Sequence, residues 1–195
     1  MEWYESKKFE DRASFAFVNR RLSVPEFTTG RSAGWLTIQT SELTLRYREK
    51  AGTFSKENLS VEFNLNGRTR RWVPGSRDTG NLGGTVRTLD AVSGATELDR
   101  GILSRNGWAL VDDSKNLLFG RRTQWATPRE ARSIDWYFFG YGHDYKRALR
   151  DYTLVSGRVP LPPKFVFGMW WSRYWDYTDQ EFKGLVREFR DHGVP

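Results

Sequence analysis

Few residues of this 195-residue chain stand in a pattern that could run covalent or acid–base chemistry. Cysteine is absent, which removes thiolate zinc sites, iron–sulfur clusters, disulfide scaffolds and cysteine nucleophiles. Histidine occurs only at His143 and His192, too few for a His-rich metal site or a His-dependent hydrolase. Asp112-Asp113 has the look of a carboxylate pair. Neighbouring side chains on a strand point to opposite faces, however, so the two do not converge, and with Ser114 they read as a turn. Glu97 and Asp99 have no identifiable partner. His143 reads as a helix-start residue, and His192 as a helix-end residue where the dipole favours a cation.

Binding chemistry is better represented. The chain holds nine Trp. An indole offers a flat apolar face and one N–H, which suits the C–H patches and rim hydroxyls of a sugar; it equally suits the core of a β-sandwich. The densest group is Trp170, Trp171, Arg173 and Trp175.

The elements that must position these residues follow from periodicity. At 38% hydrophobic and 28% charged residues the chain can bury a core, and no apolar run approaches the ~18 residues of a membrane span. The first residues lack the apolar stretch of a signal peptide. The net charge of +7 raises nucleic-acid binding, but basic residues beyond Arg68-Thr69-Arg70-Arg71 and Arg121-Arg122 alternate with acids, the pattern of a solvated surface. Such a binder would also lose affinity steeply with salt.

From Phe9 to about Phe139 the chain reads as many short strands. These include the apolar run 15–18, the alternating segments 35–40 and 43–47 joined as a hairpin, and 59–65, which turns at Asn66-Gly67 onto 70–73. The segments 108–111 and 117–119 flank the Asp112-Asp113-Ser114 turn, and 135–139 is a further strand. Residues 73–105 hold six glycines and read as a long loop or irregular strands. The expectation is an antiparallel β-sandwich over 1–140.

At residue 143 the period changes. Tyr145, Ala148, Leu149 and Tyr152 mark a helix, capped by Asp144 and ended by Gly157, and a Pro-rich connector completes 141–163. The run Phe165–Trp171 predicts a strand buried on both faces, as in a parallel sheet. Thr178 to Glu181 predicts a capping box, opening a helix with the stripe Phe182, Leu185, Val186 and Phe189 and ending at Gly193. A lone βα unit over 164–195 cannot satisfy its own backbone, which implies a chain cut within a repeated β/α domain. The alternative is a last strand and helix docked back on the sandwich.

The segment 159–168 (Val-Pro-Leu-Pro-Pro-Lys-Phe-Val-Phe-Gly), followed by Trp171-Ser172-Arg173-Tyr174, resembles the beginning of the catalytic barrel in glycoside hydrolase family 31, the α-glucosidase and α-xylosidase family. Upstream, Phe9-Glu10-Asp11-Arg12-Ala13-Ser14, Asn81-Leu82-Gly83-Gly84-Thr85 with Arg87-Thr88-Leu89-Asp90, and Leu103 to Trp108 with Asp112-Asp113-Ser114 resemble the sandwich of one branch of that family. The resemblance implies a galactose-mutarotase-like sandwich, lacking its first strands, that leads into a truncated (β/α)8 barrel. It implies retaining cleavage of an α-linked glucoside or xyloside, with both catalytic aspartates on barrel strands beyond Pro195, so that this chain is inactive alone. No cofactor or metal is implied, nor a nucleic-acid or membrane partner; the partners would be the carbohydrate substrate and the rest of the barrel. Trp170, Trp171, Arg173 and Trp175 would stand at the mouth of the substrate pocket, with one of the two adjacent Trp inward and one outward, or Trp170 and Trp171 would instead pack the barrel and its interface with the sandwich. Asp90 would stand on a sandwich loop, 81–90, that reaches over the mouth, or would pair with Arg87 to fix that loop. The other function class open to the residues is a non-catalytic carbohydrate-binding or interaction module.

Overall fold

The computed structural model describes residues 1–86, 88, 90–120, 125–129 and 132–194. The chain forms two compact units, Met1–Arg158 and Val159–Pro195. The first contains strands β1 (Glu2–Tyr4), β2 (Thr28–Ser32), β3 (Trp35–Gln39), β4 (Leu43–Arg48), β5 (Leu59–Leu65), β6 (Arg68–Trp72), β7 (Ala109–Asp112), β8 (Leu118–Phe119), β9 (Ala126–Thr127) and β10 (Ser133–Phe139), then helix α1 (Tyr145–Ser156). The second contains a 3-10 turn (Lys164–Phe167) and helix α2 (Asp179–Asp191).

The described strands pair antiparallel throughout. They form a five-stranded sheet β2-β3-β4-β5-β6, a three-stranded sheet β1-β10-β7 and a ribbon β8-β9. The chain is thus mainly β, in an arrangement consistent with a β-sandwich. The β5–β6 turn has both central residues left-handed, Asn66 at φ 53° and Gly67 at φ 76°, and Asn64 Oδ1 accepts the Gly67 N–H at 2.9 Å. That geometry matches the twist of the flanking strands.

The period of two on β5 places Leu59, Val61 and Phe63 on one face. They pack with Trp72 of β6 against Trp108, Leu110, Trp136 and Phe138 from β7, β10 and their flanks. The Trp72 ring lies 6.1 Å from Trp108, 6.2 Å from Trp136 and 5.1 Å from Phe138. Three of the nine Trp are therefore core residues.

Strand β10 is covered on both faces. Trp136 and Phe138 face β5 and β6, while Tyr137 and Phe139 pack with Phe17 and with Tyr152 and Val155 of α1. Phe17 is wholly buried and stacks on Tyr137 at 3.7 Å. Helix α1 is capped as expected: Asp144 Oδ1 accepts the Arg147 N–H at 3.1 Å, and Gly157 ends the helix at φ 89°. Its inward stripe is Ala148, Tyr152 and Val155, whereas Leu149 is exposed.

Two expectations are corrected, at 15–18 and at 165–171, and two further features were not marked in the sequence. Residues 15–18 form no strand. Ser14 Oγ accepts the N–H groups of Ala16 and Phe17, and the resulting turn drives Phe17 inward and leaves Phe15 and Val18 exposed. The segments flanking the Asp112 turn do not pair with each other, because β7 joins the longer β10 while β8 joins β9. Strand β2 is exposed along its whole length, so no apolar alternation marks it in the sequence. The run Phe165–Trp171 is not a buried strand either. Lys164–Phe167 makes a single 3-10 turn, and Phe165, Phe167 and Trp170 are 75%, 70% and 74% exposed. A strand needs a neighbour to pair its backbone, and the described residues of this unit supply none.

Candidate functional site

The loop carrying Asp90 has a rigid base. Asp78 is buried, yet it faces neutral donors rather than a cation. Its Oδ1 accepts from Ser104 Oγ at 2.6 Å, Asn106 Nδ2 at 2.9 Å and the Gly80 N–H at 3.1 Å, and its Oδ2 accepts from Asn81 Nδ2 at 2.9 Å. Asn81 spans to the other side of the loop, its Oδ1 accepting the N–H groups of Gly83 and Gly101 at 3.0 and 2.8 Å. Backbone bonds continue the stem: Arg105 N–H to Gly80 O, Leu82 N–H to Leu103 O and Gly84 N–H to Asp99 O, at 2.8, 3.0 and 2.7 Å. Residues 80–85 and 99–105 thus zip together, and the tip projects between them. The fit is close enough that a Cβ on Gly101 would overlap the Gly83 carbonyl oxygen. Asp90 lies exposed at the tip, its N–H donated to Thr88 Oγ1 at 3.0 Å. The alternative pairing with Arg87 falls outside the described residues. The sequence marked this stretch by its glycines and by the family-like segments 81–85, 87–90 and 103–108, but nothing in it joined Asp78, Asn81, Ser104 and Asn106 into one hub.

The other four candidates lie in the second unit. The Trp170 indole N–H donates to Val166 O at 2.9 Å, and its ring stays in solvent. Trp171 packs edge-on against Phe189 of α2 at 5.5 Å and is 48% exposed. The Arg173 guanidinium lies over the Trp175 ring, 4.8 Å from its centre, a cation–π contact. Helix α2 starts with the expected capping box between Thr178 and Glu181. Hydrogen bonds from the Thr178 N–H and hydroxyl hold the Glu181 carboxyl below its usual range. These aromatic faces can stack on a sugar ring.

The site the sequence missed is electrostatic. Asp113 and Asp135 are almost wholly buried, and Arg20 and Arg129 keep only 6% and 3% of their side chains exposed. Arg20 pairs with Asp135 at 2.6 Å, Glu2 at 2.5 Å and Asp113 at 3.5 Å. Arg129 pairs with Asp113 and, at 3.0 Å, with Asp135. Ser14 Oγ and Asn116 Nδ2 also donate to Asp113 Oδ1, at 2.9 and 2.7 Å. Asp113 does sit at the expected turn, with Asp112 on the solvent side and Asp113 turned inward. Burial raises the Glu2 carboxyl, Asp135 adds to the rise, and Arg20 opposes it. Burial acts to lower the Arg20 guanidinium, but its bond to Asp135 and the surrounding negative charge leave it raised. Carboxylates locked to guanidinium groups without access to solvent are poor proton carriers and cannot reach a substrate. This cluster ties together the Glu2 strand, the Arg20 segment, the β7 turn and β10. No signal at the sequence level joins residues so far apart.

No protein-family model matches the chain. Three similar proteins carry α-glycosidase names. An α-glucosidase of Bacillus thermoamyloliquefaciens is 34% identical over 97 residues, 47% of this chain and 12% of that protein. An α-xylosidase of Saccharolobus solfataricus is 28% identical over 164 residues, 77% of this chain and 22% of that one. The α-xylosidase XylQ of Lactiplantibacillus pentosus is 29% identical over 102 residues, 48% and 13%. The similarity is to glycoside hydrolases. These matches take in less than a quarter of the length of each relative.

Proposed function

We propose that this chain is the amino-terminal part of a retaining α-glycosidase of glycoside hydrolase family 31 that acts on α-linked glucosides or xylosides. The observation that carries the reading is the 164-residue similarity to an α-xylosidase more than four times longer than the match. In this reading residues 1–140 are a galactose-mutarotase-like sandwich, 141–163 a linker helix and connector, and 164–195 the first βα unit of a barrel. Barrel sites gather residues from several strand ends, and a retaining site needs two carboxylates ~5–5.5 Å apart, which later strands would supply. The run Phe165–Trp171 would become a strand once those strands offer it partners. Trp170, Trp171, Arg173 and Trp175 would then line the substrate mouth, and the Asp78-anchored loop would bring Asp90 to it.

The test is to read the coding sequence past the Pro195 codon, express the full product, and assay it on p-nitrophenyl α-glucoside and α-xyloside beside residues 1–195 alone. Hydrolysis with retention by the full product and none by the short chain supports the proposal. A stop codon directly after Pro195 in a genuine transcript would sink it and leave a non-catalytic carbohydrate-binding module as the better reading.

A further inference from the structure

We propose that the cleft between the first turn of α1, the β3–β4 turn and the end of β10 binds an uncharged sugar, at a site separate from the aromatic segment of the second unit. The cleft encloses about 750 Å3, inside the ~300–1,000 Å3 range of small-molecule sites. Its floor is apolar, with Leu43, Phe138 and Val155. Its rim carries Glu42, Asn64, Tyr141, Asp144, Arg147 and Asp151.

Four of the rim groups are already arranged. The Tyr141 hydroxyl donates to Asp151 Oδ2 at 2.9 Å. Arg147 Nη1 donates to Glu42 Oε1 at 3.1 Å, linking the helix to the hairpin turn across the cleft, and its Nε lies 3.7 Å from Asp151 Oδ2. The same guanidinium sits 5.7 Å from the centre of the Tyr141 ring. Polar groups held in place before binding lose little side-chain freedom when a ligand arrives. Burial, reinforced by the bond to Asp151, pushes the Tyr141 phenol up to about 12, so it stays a donor over the physiological range. Gly140 and Gly142 keep the end of β10 close to the core wall: a Cβ at Gly140 would meet Leu43 Cδ2 at 2.9 Å, and one at Gly142 would meet Asn64 O at 2.9 Å.

The rim selects the class of ligand. Three carboxylates against one guanidinium disfavour an anion. Carboxylate lone pairs not used by Arg147 and Tyr141 accept hydroxyl protons, while Arg147 and Asn64 donate to hydroxyl oxygens. A polyol with C–H faces satisfies both sets and still covers the apolar floor. The choice of a sugar rests on the glycosidase reading above; the cleft geometry does not.

Amide-shift mapping by NMR tests this on the 195-residue chain, with maltose and methyl α-D-xyloside as probes and glucuronate as the charged control. Saturable shifts with a millimolar dissociation constant are expected around Asn64, Tyr141 and Arg147, with glucuronate weaker. Arg147→Met and Ser41→Arg, both on exposed turns of the surface, should each weaken binding about tenfold, whereas Arg71→Gln on β6 should not. Absence of saturable shifts in the folded protein, shifts confined to Trp170–Trp175, or binding unchanged in both cleft variants would overturn the proposal. Hydrolysis by the full product is a separate measurement, so the two readings fail separately.

Discussion

Replacing Arg129 by Met should cost far more stability than removing a surface charge. The Arg129 side chain is 3% exposed, bridges Asp113 and Asp135, donates through Nε to Asn116 O at 3.1 Å and through Nη1 to the Tyr4 hydroxyl at 3.0 Å. Methionine fills much of the volume but leaves two buried carboxylates sharing Arg20, which Glu2 also claims. Removing one partner of a buried ionic group costs about 3–5 kcal/mol, against at most about 1 kcal/mol for an exposed pair. In a domain whose total stability is about 5–15 kcal/mol, that is a large share. The assay is urea denaturation followed by Trp fluorescence, comparing midpoints at constant slope. The double variant Arg129→Met with Asp135→Leu restores the charge balance and should be more stable than Arg129→Met alone, since an apolar swap of a buried pair is close to neutral. A loss below about 1 kcal/mol for Arg129→Met would refute the account of the cluster as a buried, mutually dependent network.

Three further outcomes follow from the geometry. Gly101→Ala places a Cβ against the Gly83 carbonyl and should destabilise by about 1–3 kcal/mol, whereas Gly30→Ala, in open space, should lie within about 0.5 kcal/mol of the parent in the same denaturation assay. Burial holds Tyr137 and Tyr141 protonated up to about 12, against an ordinary 10, despite the opposing charge of Arg20 on the first. Since both folded values lie above the unfolded one, their contribution to stability is complete below pH 10 and is lost as pH rises towards 12; ultraviolet titration should show these two phenols ionising last, with burial also displacing Tyr4 and Tyr47 upward, and all eight ionising together near 10 would contradict this. A chain ending at Arg158 should keep the cooperative transition of the first unit, bind less of a hydrophobic dye and be more soluble, because the tail exposes Phe165, Phe167, Trp170 and Trp175. No gain in solubility would mean that these side chains are covered in solution.

The local chemistry was legible without coordinates. Alternation at 35–40, 43–47 and 59–65, the aromatic strand 135–139, the Asn66-Gly67 turn, the Asp144 cap and the Thr178–Glu181 capping box each depend on residues within a few positions of one another. Period and turn type are short-range properties, so the sequence alone determines them. The antiparallel, mainly β character follows from the same signals.

What only the tertiary structure decided is long-range. Whether a Trp fills the core or faces solvent depends on the opposite sheet: Trp108 and Trp136 both meet Trp72, while Trp170 is exposed. The partner of β7 is β10, a strand far along the chain that no local signal points to, and the fate of Phe165–Trp171 was decided by the lack of a neighbour among the described residues of its unit. Asp113 looked like half of a turn because nothing in its neighbourhood of sequence reveals Arg20 or Arg129. Burying a charge is costly unless opposite charges arrive from elsewhere in the chain, and only the folded arrangement brings them to within hydrogen-bond distance.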